Sequence, residues 1–186
     1  MILSFLLQFV ILFYQQGDHR PVSFTEEYIE FRLSGTTFTV NGNYIFVNHS
    51  GETVSKIISY PFPVLLSRID SIHIFNLDNG KYISYEKIRQ AAVFHLDCLP
   101  GDTVRLNIFY KQTDVSDTVR YILTTTKNWK QALKKAEYTF TTESSRKILS
   151  FSYPPDKSFL KGREQKYFWS RKNFLPDQDF VVILKR

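Results

Sequence analysis

The 186 residues suit one domain with a leader segment, and an apolar fraction of 43% can supply a sizeable core. A single cysteine, Cys98, excludes an internal disulfide and the zinc motifs built on paired cysteines, while 16% aromatic residues favour pleated surfaces. The formal charge of +6 is uneven: the two signs balance up to residue 133, and the excess falls in the last third, which suits an anionic partner or surface.

Residues 1–14, MILSFLLQFVILFY, are almost wholly apolar. They fall short of the roughly 20 residues that span a bilayer but have the length of a signal-peptide core. The expectation is a signal peptide or N-terminal anchor over residues 1–16 and a single domain over 17–186, exported to the periplasm, the cell surface or the medium.

After Pro21 the apolar residues alternate. Ile29, Phe31 and Leu33 interleave with Tyr28, Glu30 and Arg32, the period of a half-buried strand. Residues 40–47 read as another strand, with Tyr44 and Phe46 on one face and Ile45 and Val47 on the other; two apolar faces predict a central position. Residues 48–52 form a turn, residues 53–60 a returning strand, and Pro61 and Pro63 end it. Asn48-His49-Ser50 is an N-glycosylation sequon in that turn, which is expected to be exposed.

Residues 69–76 form a strand closed by Asn79-Gly80, a hairpin signal. Val104, Leu106, Ile108 and Tyr110 alternate with Arg105, Asn107 and Lys111, which predicts a sheet with one wet face. Asn128 can cap a short helix over residues 128–135, where Trp129, Ala132 and Leu133 share a face. About ten short strands follow one another at sandwich spacing. The fold class is all-β: an antiparallel β-sandwich, immunoglobulin-like or jelly-roll-like, with that helix plugging one end.

The chemistry-bearing residues do not converge on a catalytic motif. His95 and Cys98 fall on opposite faces of one strand, which makes the cysteine a core residue rather than a nucleophile. The remaining histidines lack zinc spacing. Asp177-Gln178-Asp179 offers carboxylates that calcium could use, but its place after Pro176 makes it a lead-in to the last strand. No catalytic residue, cofactor or metal site is expected. The most suggestive stretch is residues 161–174, where cations interleave with aromatics. Lys166, Tyr167, Trp169, Arg171 and Lys172 are the candidate binding residues, for an envelope protein or an anionic surface such as lipid headgroups or polysaccharide, with no nucleic acid expected. The competing reading places those rings in the core.

Residues 40–48 followed by Tyr60-Pro61-Phe62-Pro63, residues 121–125 with Trp129 and Leu133, and Asn173-Phe174-Leu175-Pro176-Asp177 together resemble a loosely defined group of exported bacterial β-sandwich proteins of unknown function. The resemblance implies an envelope β-sandwich and brings no catalytic residues with it. The functional expectation is a non-enzymatic binding or structural module. The alternatives are a carbohydrate-binding module with Tyr167 or Trp169 as an exposed platform, and a hydrolase with a His–carboxylate cleft around His73 and His95.

Overall fold

In the computed structural model, which describes residues 21–185, the alternation of the first strand is what sets the layers. Strand β1 (Val22–Ser34) turns Ile29, Phe31 and Leu33 inward and leaves Glu30, Arg32 and Ser34 in water. It pairs antiparallel with β2 (Thr37–Asn48) and parallel with β10 (Leu133–Glu143). That parallel pair, which sets Phe31 beside Phe140, departs from the purely antiparallel expectation. The apolar run expected to be a leader lies outside the described residues.

The large sheet has eight strands. From one edge they run β12 (Lys157–Lys161), β13 (Glu164–Phe174), β10, β1, β2, β8 (Thr103–Gln112), β4 (Ile69–Asn76) and β5 (Lys81–Tyr82). Strand β2 is central, as its two apolar faces predict. The β4–β5 hairpin turns through Gly80, whose φ of 70° is the left-handed conformation that glycine adopts freely.

One face of this sheet is covered by two smaller sheets. The first comprises β11 (Ile148–Phe151), β14 (Phe180–Leu184) and β9 (Thr118–Tyr121), and the second β3 (Val54–Pro61), β7 (Ala91–Cys98) and β6 (Glu86–Ile88). Phe180 of the first stacks on Phe31 at 4.6 Å, and Phe62, just after β3, meets Tyr110 of β8 edge-on at 5.0 Å. The molecule is therefore an all-β sandwich whose second layer is split in two.

The strand after the residue 48–52 turn does not return beside β2. Both edges of β2 are already taken by β1 and β8, so the chain leaves the large sheet and β3 pairs with β7 instead. Asn48 fixes that crossing. Its Nδ2 donates to the carbonyls of Glu52 at 2.8 Å, Cys98 at 3.1 Å and Leu99 at 2.9 Å, tying the β2–β3 corner to the β7–β8 corner. The sequon asparagine is thus 1% exposed, not the surface residue expected from the turn.

The helix expected over residues 128–135 is replaced by a 3-10 helix over Thr124–Trp129, ended by Lys130 at a φ of 52°. Leu133 instead pairs with Phe174 and opens β10. Sheet pairing on both sides of β10 outweighs one turn of helical periodicity.

Candidate functional site

The split between the two covering sheets leaves a cavity of about 250 Å³. Its floor belongs to the large sheet, with Glu27 of β1, Tyr44 and Phe46 of β2 and Ile108 of β8. One wall is β3 from Lys56 to Pro61, and the other is Tyr121, Thr125, Thr126 and Trp129.

A β-bulge places Glu27. The register of β1 against β2 jumps from Phe24–Phe46 to Glu26–Ile45, so Thr25 is the extra residue. The jump lets Phe24 before it and Glu27 after it both point inward, and bulges commonly re-aim side chains beside binding sites. Glu27 is 2% exposed. The Tyr138 hydroxyl donates to its Oε1. Burial raises this carboxyl to about 7, and the Tyr138 hydrogen bond offsets only part of that rise. No neighbouring cation contributes among the described residues.

Beside it stand three phenols. The Tyr44 hydroxyl lies 2.9 Å from that of Tyr60 and 2.8 Å from that of Tyr121, and Tyr60 donates to Tyr121 at 3.2 Å. The three come from the large sheet and from each of the two covering sheets, so the triangle closes the bottom of the split. Burial pushes all three phenols above their ordinary range, and they remain neutral. Gly42 makes this possible: a Cβ there would come within 2.3 Å of the Tyr44 hydroxyl, which lies over the glycine.

At the rim, the Lys56 ammonium sits 4.7 Å from the centre of the Trp129 ring. The 3-10 helix that carries Trp129 is anchored by Asp179. Oδ1 of Asp179 accepts from the backbone N–H groups of Leu123 and Thr124 and from the Thr124 hydroxyl, and Oδ2 accepts from Arg120 at 2.6 Å. Burial alone would raise the Asp179 carboxyl, but Arg120 and Thr124 outweigh it and hold it below the usual range. The 177–179 stretch does lead into β14, and Asp179 braces one cavity wall.

The candidates named from sequence lie elsewhere. In β13, Tyr167, Trp169 and Arg171 take one face while Lys166 and Lys172 take the other. Trp169 is 2% exposed, packed against Phe151 and Phe180, and its Nε1 donates to the Tyr153 carbonyl at 2.8 Å. Tyr167 is half-buried against Phe151 at 4.8 Å, and Arg171 pairs with Asp156 at 2.6 Å. These rings offer no exposed platform, because the alternation of β13 turns them to the core. His73 and His95 are both exposed and lie in different layers, His73 on the large sheet and His95 on the covering layer. Cys98 is buried and His95 is not, as the alternation of β7 predicts. Among the described residues, no group of three or more His, Cys, Asp or Glu is placed to hold a metal ion.

The fold has relatives among solved structures. A candidate nutrient-binding protein of Legionella pneumophila superposes with a TM-score of 0.68 at 16% identity, covering 88% of this chain and 67% of that one. An M1 zinc metallopeptidase of Deinococcus radiodurans gives a TM-score of 0.55 at 12% identity, again over 88% of this chain. This chain spans only 42% of the peptidase. A domain of unknown function, DUF4424, matches residues 108–183, from β8 into β14. No curated protein matches the sequence. At these identities the likeness is one of fold.

The cavity residue that sequence reading passed over is Glu27, and a signal for it exists. It lies in phase with Ile29, Phe31 and Leu33, two positions before the apolar stripe. A carboxylate on the core face of a strand is a site candidate in its own right.

Proposed function

We propose that this protein is a non-enzymatic, exported binding domain that takes a small molecule into the cavity between its covering sheets. The observation that carries this reading is Glu27: a buried carboxyl that faces an aromatic-walled cavity with Tyr138 as its one hydrogen-bond partner among the described residues. Pockets of this kind, apolar with a few polar groups aimed inward, are the usual form of small-ligand sites. Binding rather than catalysis fits the phenols, whose hydroxyls are bonded to one another and held neutral. Export is supported by the apolar run at residues 1–14, which has the length of a signal-peptide core.

Trp129 is the built-in reporter, since it lines the cavity while Trp169 is in the core. Titrating small amphipathic compounds against a Trp169→Phe variant should give saturable changes in Trp129 emission and a concentration-dependent rise in Tm. If no compound in a broad panel moves either signal, the cavity is packing space and the reading fails.

A further inference from the structure

We infer that the cavity recognises an organic ammonium ion, a substituted amine or quaternary amine on a compact apolar body. The inference rests on the small-molecule reading above and names the chemistry of its ligand.

Three features converge on it. The first is a buried carboxyl with no cationic partner among the described residues. A buried carboxylate is stable only when paired, and Glu27 stands where a ligand in the cavity would meet it. The second is the lining: Phe24, Phe46, Tyr44, Tyr60, Tyr121 and Trp129 surround the space. Aromatic faces attract ammonium groups through the ring quadrupole, and cages of them are a recurrent solution for alkylated amines. The third is already in place, for the Lys56 ammonium rests on the Trp129 ring at 4.7 Å. The chain's own amine shows that this face accepts a cation.

The groups facing Glu27 decide how binding should respond to pH. Tyr138 of β10, Tyr44 of β2, Tyr60 of β3 and Tyr121 of β9 approach it, and all four stay neutral because burial raises them. Lys56 of β3 is the cation of the rim. Glu27 is therefore the group that titrates near neutrality, with a carboxyl raised to about 7. An ammonium ligand selects the ionised form, so affinity should rise by about tenfold between pH 6 and pH 8, as the ionised fraction does. A neutral ligand would show no such rise, and an anionic one would show the opposite.

The test is calorimetric titration of the full domain with choline, with its uncharged isostere 3,3-dimethylbutan-1-ol and with 3,3-dimethylbutanoate, each at pH 6 and pH 8. Choline should bind tightest at pH 8. Glu27→Gln should cost it about tenfold there and remove the pH dependence, while leaving the alcohol unaffected. Trp129→Leu should weaken choline more than the alcohol. Lys56→Met, which frees the Trp129 face, should tighten choline. Equal binding of choline and the alcohol, or preference for the carboxylate, would overturn the ammonium assignment and leave the cavity reading standing. Silence from all three while other compounds still shift Trp129 would also overturn it. If Trp129 responds to nothing at all, the cavity reading falls and takes the inference with it.

Discussion

Glu27 costs the fold something that a neutral residue would not. Its carboxyl, ordinarily at 4.5, is raised to about 7 in the folded protein, so the native state keeps a proton that the unfolded chain has lost. Stability therefore falls as pH climbs from 4.5 towards 7 and levels off above that. Glu27→Gln should match the wild type in urea unfolding at pH 4.5 and exceed it at pH 8, by up to about 3 kcal/mol. Equal stability at both values would mean that the carboxyl is not buried as described. Such a residue persists where function outweighs stability. Its phase with Ile29, Phe31 and Leu33 was legible in the sequence. The bulge at Thr25 was not, since bulges follow from strand pairing and leave no local composition signal.

The 3-10 helix over Thr124–Trp129 depends on a residue more than fifty positions away. Asp179 satisfies the N–H groups of Leu123 and Thr124 that open the helix, and it pairs with Arg120. Its pH dependence has the opposite sign to that of Glu27. A depressed carboxyl contributes stability above its unfolded value and loses it as pH falls through the folded one. Asp179→Ala should cost about 1–3 kcal/mol, because it leaves the Leu123 and Thr124 amides without their acceptor, while the half-exposed Arg120 turns to water. It should also shift Trp129 emission towards that of water, which fluorescence at neutral pH would show. Unchanged emission would mean that this wall stands without its anchor. Period-two stretches such as β7, β8 and the Tyr28–Leu33 part of β1 were readable residue by residue, because one face is buried and the other wet. Residues 128–135 misled because Trp129 and Leu133 sit four apart, yet serve a 3-10 turn and a strand in succession. The aromatics of β13 needed the knowledge of which face meets β11 and β14, which is a tertiary fact.

At the scale of the molecule, several cations of the last third, Lys157, Lys161, Lys166 and Lys172 among them, lie on β12 and β13 at one end of the large sheet. Strand β12 is wholly exposed at the end of the large sheet, with Phe159 and Leu160 between Lys157 and Lys161. This arrangement of cations around exposed apolar side chains suits an anionic surface. The protein should co-sediment with phosphatidylglycerol vesicles at low salt and less with phosphatidylcholine, and Lys157→Glu with Lys161→Glu should release it. Equal sedimentation with both lipids would remove this partner. The two-layer architecture was legible from strand spacing; the division of the second layer was not, because it depends on where the chain changes sheets. Asn48 marks one of those places, and its position bears on how the chain could be made. A eukaryotic secretory host would meet an acceptor sequence on the nascent chain and none on the folded protein, since the acceptor nitrogen is occupied by three carbonyls. A glycan could be attached only before the two corners close, and once attached it would hold the layers apart.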